Sequence, residues 1–236
     1  MRLIFLLLFP LLLLADSSLL KQIDERLQPD SYESYRKLIN IEPDGTKKEF
    51  VMYMLKKDKD KVISYFLSPA SDKGRTTLRL GDNMWLYIPG IAKPLRIASM
   101  QSVTGGVFNN ADIMRLDFHV EYDVAGKTEK GNEIILDLTA KNETVTYEKL
   151  VMTVDKKSLF PTVIDCYAGG IKLKSIRYLD TKDFGDGVKR PSLLETTSDL
   201  QKGYKSVMIF GKIKKRNLDD AVFTIDNIAK VGELRE

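Results

Sequence analysis

The chain has 236 residues, 43% apolar and 30% charged, which excludes bulk disorder and allows one large domain or two small ones. Its 37 basic and 33 acidic residues nearly cancel, so the net charge of +4 calls for no nucleic-acid partner and permits only a weak pull towards an anionic membrane. Cys166 is the only cysteine, which excludes an intramolecular disulfide and a cysteine-rich metal site and leaves the apolar core to hold the fold.

Met1 and Arg2 precede an apolar run over residues 3–14, too short for a comfortable membrane span and of signal-peptide length. Ala15 is a fitting last residue before cleavage, with polar Asp16 and Ser17 after it. Leu13 stands where a small residue is preferred, so an uncleaved anchor is the alternative. No cysteine follows the run, so it does not end in a lipidation signal. The expectation is a secreted chain with a signal peptide over 1–15 and a single domain over 16–236.

Leu19, Leu20, Ile23 and Leu27 fall at helical spacing with charges between them, which predicts a short amphipathic helix ended by Pro29. From Tyr32 the pattern changes to period two. A strand through Leu38, the turn EPDGT and the run KKEFVMYMLKK read as a hairpin. Phe50, Met52 and Met54 share one face of the second strand; Val51, Tyr53 and Leu55 share the other. Strands around Phe66, TTLRL, MWLYIP and LRIA follow, each joined to the next by a tight polar turn, which is the pattern of an antiparallel meander.

The segment SMQSVTGGVFNNADIMRLDF breaks the rhythm. It predicts a loop and a short helix crossing one face of the sheet, with Asn110 as a cap. Strands resume around Tyr122 and over 134–138, then as three more with turns at Lys156 and Gly169, then as LLETTSD and YKSVMIFGKIK. The tail LDDAVFTIDNI predicts a last strand or turn anchored by Phe223. The total is ten or eleven strands with two or three short helices. There is no βαβ alternation, which disfavours a parallel nucleotide-binding sheet.

Chemistry-bearing motifs are sparse. The lone His119 sits at an expected strand start with no G-x-S-x-G elbow to serve. Cys166 lies in a strand pattern without further ligands at metal spacing. Glu121 and Asp123 could be a carboxylate pair but equally a solvated strand face. Gly105 and Gly106 are not between a parallel strand and a helix, so no phosphate loop is read there. No enzyme, cofactor or metal is expected. What remains is apolar side chains at alternate strand positions: Phe50, Met52, Met54, Phe66, Met84, Leu86, Met152, Met208 and Phe210. They fit either a closed core or the wall of a ligand cavity.

The order of three long stretches carries a resemblance: GRTTLRLGDNMWLYIPGIAKPLRIASMQSVTGGVFNNADIMRLDF, then VDKKSLFPTVIDCYAGGIKLKSIRYLD, then TTSDLQKGYKSVMIFGKIKKRNLDDAVFTIDNI. They are spread along the mature chain between Gly74 and Ile228, and the whole is similar to the outer-membrane lipoprotein-sorting family, the LolA-like and LolB-like periplasmic lipoprotein carriers. The resemblance implies a mainly β protein: one curled antiparallel sheet, an unclosed β-barrel, with short helices as a lid over an apolar cavity. It implies a non-enzymatic periplasmic carrier that binds acyl chains of lipoproteins or lipids, is monomeric, and meets an inner-membrane transporter complex and an outer-membrane acceptor. A lipoprotein-sensing regulatory module of the same fold is the alternative. The cavity wall expected on this basis is Phe50, Met52, Met54, Phe66, Leu78, Met84, Trp85, Leu86, Leu136, Met152, Met208 and Phe210.

Overall fold

The computed structural model of the chain describes residues 9–235, with side chains described from residue 18 onward. Residues 1–8 of the expected leader lie outside the described residues. Helix α1 spans Phe9–Leu27, so it begins well before the short helix expected after Ser18. Its end agrees with the position of Pro29, whose ring cannot continue a helix. Leu20, Ile23 and Leu27 are buried on one stripe, as their spacing requires. No helix among the described residues is long and apolar enough to cross a membrane.

Six strands follow: β1 Tyr32–Ile41, β2 Lys47–Lys57, β3 Lys61–Ser68, β4 Thr76–Leu80, β5 Asn83–Tyr87 and β6 Leu95–Arg96. Two short helices, α2 Asn110–Ile113 and α3 Phe118–Glu121, interrupt them. Seven more strands complete the chain: β7 Tyr122–Lys130, β8 Glu133–Ala140, β9 Lys149–Asp155, β10 Pro161–Ala168, β11 Ile171–Asp183, β12 Lys189–Ser198 and β13 Lys205–Lys215. All thirteen form one sheet in the order β6-β5-β4-β3-β2-β1-β13-β12-β11-β10-β9-β8-β7, with antiparallel neighbours throughout. The thirteen strands correspond to the thirteen runs read as strands in the sequence, LRIA as β6 included, so the total of ten or eleven undercounts them.

The sheet is not closed. The first and last strands pair, with Leu38 opposite Met208, while β6 and β7 are free edges. Residues 97–121, which link those two edges, cross the inner face as a lid. The sheet therefore has two buried faces. The inner one carries the larger apolar cluster, including Leu38, Phe50, Met52, Met54, Phe66, Leu136, Met152 and Met208, packed against α1 and the lid. The outer one is confined to β2–β5 and is covered by residues 218–234.

Of the strand or turn expected in that tail, the turn is what forms: two 3₁₀ turns, Asp220–Val222 and Ile228–Leu234, with Phe223 buried as the expected anchor. Gly232 lets the turn lie close on β3: a Cβ there would come within 2.7 Å of the Tyr65 hydroxyl, and that ring would have to move aside. His119 is in α3, one turn before β7, and not at a strand start.

Candidate functional site

The lid is built from local rules. Asn109, not the expected Asn110, caps α2. Its side chain accepts from the Asp112 amide at 3.0 Å while Asp112 Oδ2 accepts from the Asn109 amide at 2.9 Å, a reciprocal capping box. The Asn110 side chain donates to the Ala98 carbonyl instead. Val103, Phe108, Ile113, Met114, Leu116 and Phe118 point down from the lid into the inner cluster.

Polar side chains of the sheet and of α1 hold the lid in place. Arg36 Nη1 on β1 donates to the Ile113 carbonyl at 2.9 Å, and Arg79 Nη1 on β4 donates to the Met114 carbonyl at 3.1 Å. Arg79 also pairs with Glu121 of α3. Lys174 on β11 pairs with Asp112 at 2.5 Å and donates to the Val107 carbonyl at 2.8 Å. Lys56 on β2 pairs with Asp117 at 3.2 Å. From α1, Asp24 accepts from the amides of Phe118 and His119 at 2.8 and 2.9 Å and from His119 Nδ1 at 2.9 Å. His119 is thus a fastening of the lid, with its other ring nitrogen buried and unpartnered. Nearly every contact ends on a lid carbonyl, amide or carboxylate, so a modest shift of the lid exchanges them as a group.

Beneath the lid, between it and β9–β12, lies a cavity of about 40 Å³, lined by Arg115, Phe118 and Tyr147 on one side and Leu150, Ile164, Cys166, Ile176, Tyr178 and Leu194 on the other. That is space for a few waters at most; a drug-sized ligand needs several hundred Å³. The interior is roofed and mostly apolar, and its own lid side chains fill it. Cys166 is buried here, and burial raises its thiol pKa far above the ordinary value, so it behaves as an apolar wall atom.

Of the twelve expected wall residues, Phe50, Met52, Met54, Phe66, Met84, Leu136, Met152, Met208 and Phe210 come together in the inner cluster. Leu78 and Trp85 do not. They pair with each other across β4 and β5 on the outer face, under the tail. Leu86 is half-buried and belongs to neither cluster. The reason is the period-two alternation: Met84 and Trp85 are adjacent on one strand and must face opposite ways.

Sequence reasoning missed the charges inside. Arg36 and Arg190 are buried on the inner face, and the guanidinium carbons of both lie over one ring, that of Phe210, at 4.6 and 4.0 Å from its centre. Arg115 of the lid lies over Phe118 at 4.3 Å. Arg36 Nη2 also donates to the Tyr32 hydroxyl, which in turn donates to Gln28 Oε1. Burial pulls the Arg190 guanidinium down to about 9, and repulsion from Arg36 and Arg115 adds to it against the opposing Tyr32. Burial lowers Arg36 as well. At Tyr32 burial acts to raise the phenol, yet the four surrounding cations Arg36, Arg190, Lys56 and Arg115 outweigh it and leave it below its ordinary value. A signal was present: Arg36 shares strand parity with Tyr32 and Leu38, so an inward face for the one implies it for the others.

A family model described as an uncharacterized protein matches residues 58–230. A LolA superfamily protein from Nitrosomonas europaea is 28% identical and superposes with a TM-score of 0.81 over 89% of this chain and 98% of its own. The chain belongs to the family that this model describes, and its fold is that of the LolA superfamily protein. An outer-membrane lipoprotein-sorting protein domain from Vibrio parahaemolyticus shares the fold at a TM-score of 0.78 and 16% identity, over 91% of this chain and 98% of that one. So does a DUF1329 family protein from Desulfovibrio piger, at 0.77 and 20%, over 92% and 98%. No curated protein matches the sequence.

Proposed function

We propose that this LolA-like protein is a non-enzymatic periplasmic carrier. It shelters acyl chains of lipoproteins or lipids beneath its lid and moves them towards the outer membrane. In this reading the leader over 1–15 is removed and residues 16–236 act as one monomeric domain. An inner-membrane transporter complex would load it and an outer-membrane acceptor would unload it.

The observation that carries the reading is the lid: an apolar roof over an apolar wall, fastened by exchangeable polar contacts from Arg36, Arg79, Lys174 and Asp24. An acyl chain left in water costs about 0.8 kcal/mol per methylene, so an acylated anchor needs a dry shelter to cross an aqueous space. The 40 Å³ cavity is the closed form; cargo entry requires the lid to lift and its side chains to leave the interior. Met52, Met54, Met84, Met152 and Met208 give the exposed wall the flexibility to accept irregular chains.

Native mass spectrometry of the purified chain tests this. The expected result is co-extracted lipid, or uptake of a diacylated peptide at one per chain. Protein free of lipid that also takes up no acylated peptide overturns it.

A further inference from the structure

The buried charges beneath the lid do not balance. Among the described residues, Lys56 pairs with Asp117, Arg79 with Glu121, Lys174 with Asp112 and, on the other face, Arg216 with Glu33. Asp24 is committed to two lid amides and His119, with Arg115 only 3.8 Å away. Arg36 and Arg190 have no carboxylate within 4.0 Å, although they are 7% and 1% exposed. Hydrogen-bonding capacity is also left over. Arg36 Nε and Arg115 Nη1 are buried without an acceptor, and the one oxygen that the Arg190 guanidinium reaches is the carbonyl of Pro191 at 3.2 Å. A buried guanidinium is stable when an anion or a set of acceptors meets it, and the ring of Phe210 supplies only part of that.

We propose that the interior beneath the lid contains an oxyanion site formed by Arg36, Arg115 and Arg190, and that it takes a phosphate-type group. The planar forks of three guanidiniums suit a tetrahedral oxyanion with several equivalent oxygens. The wall around the site is apolar at Phe210, Phe118, Tyr178 and Leu194, and the two carboxylates that line the same cavity, Asp112 and Glu121, are held by Lys174 and Arg79. An anion attached to acyl chains would thus bring both halves of its chemistry to one interior. This extends the carrier reading and rests on it only for the source of the anion. If cargo supplies the phosphate, the cargo is an acidic phospholipid-like amphiphile and not merely an acyl chain. Lifting the lid would also free Arg36 from the Ile113 carbonyl, so the site gains a donor as it opens.

The test uses the full mature chain and three probes: a short-chain phosphatidylglycerol, the uncharged diacylglycerol of the same chain length, and inorganic phosphate, with chloride at equal ionic strength as control. The expected result is at least tenfold tighter binding of the phosphatidylglycerol than of the diacylglycerol by calorimetry. Arg190→Met brings that ratio to within about twofold while diacylglycerol uptake persists. Thermal protection by inorganic phosphate, absent in Arg190→Met, supports the site with free phosphate as the source. Equal affinity for both lipids together with no protection by phosphate overturns the site. So does a preference that survives in both Arg190→Met and Arg36→Met. Uptake of diacylglycerol reports separately on the carrier reading, which can stand when the oxyanion site falls. The phosphate arm on the unmodified chain decides the matter if a variant fails to fold.

Discussion

Two segments cover this sheet, one on each face. Residues 218–234 lie on the outer face of β2–β5 and bury Leu218, Phe223, Ile228 and Val231 against Tyr53, Leu55, Ile63 and Leu78. Residues 97–121 lie on the inner face and are held as much by Arg36, Arg79, Lys56, Lys174 and Asp24 as by their apolar side chains. Full burial of a large apolar side chain is worth about 1.5–3 kcal/mol, whereas a hydrogen bond nets about 0.5–1.5 because water replaces it. An apolar cover has no substitute partner when it lifts; a polar one finds water, or a ligand, at once. The outer cover is therefore part of the scaffold and the inner one is suited to move.

The largest effect expected from this contrast is on the outer face. Phe223→Ala should cost about 3–5 kcal/mol in urea unfolding, as for other buried phenylalanines, without changing acyl-peptide uptake by the protein that remains folded. A loss of uptake in proportion to the loss of stability would erase the distinction between the covers. Next comes the lid. Arg36→Met leaves the Ile113 carbonyl without its donor, worth about 1–3 kcal/mol locally, so amide exchange over residues 107–116 should rise roughly 5- to 100-fold while residues 218–234 exchange as before. Equal acceleration in both segments would mean that they open as one unit.

A smaller effect is expected from a charged network of the outer face. Arg216 Nη1 bonds Glu33 Oε2 at 2.6 Å, the Tyr53 hydroxyl at 3.0 Å and the Leu234 carbonyl at 2.9 Å. Burial acts to raise the Glu33 carboxyl, and the hydrogen bonds from Tyr53 and Arg216 outweigh it, so its folded pKa lies below the ordinary 4.5. The stability it contributes is present above that value and is lost as the pH falls through the folded pKa. Melting temperature against pH should therefore drop on the acid side below about 4.5, and Glu33→Gln should flatten that limb. The smallest effect is spectroscopic. Because Trp85 is on the outer face, its emission should shift by less than about 2 nm when an acyl ligand enters, a bound that follows from emission reporting local polarity and an environment that does not change. A large shift would place the ligand outside the inner face.

The meander, the turns and the faces of β2 were legible in the sequence because turn residues and period-two alternation are local signals. Phe50, Met52 and Met54 do face inward, and Tyr53 and Leu55 outward. Alternation failed where both faces are covered. In β4 the inward positions are Thr77 and Arg79, and the apolar Leu78 faces the tail, so hydrophobicity pointed to the wrong side. Leu78 and Trp85 were misplaced for that reason: a buried outer face needs a cover from distant sequence, which no local pattern announces. The inner arginines escaped for a related reason. A charged residue in a strand normally marks the solvent side, and only its parity with Tyr32 and Leu38, or with Ser192 and Leu194, shows that Arg36 and Arg190 turn inward.

The pairing of β1 with β13 sets the order of assembly. The first strand has its second neighbour only when residues 205–215 arrive, and the tail that covers β2–β5 arrives later still. Such distant pairing slows folding, since a long loop must close before its contacts form. Until then a nascent chain leaves the greasy strip of β2–β5 without its cover.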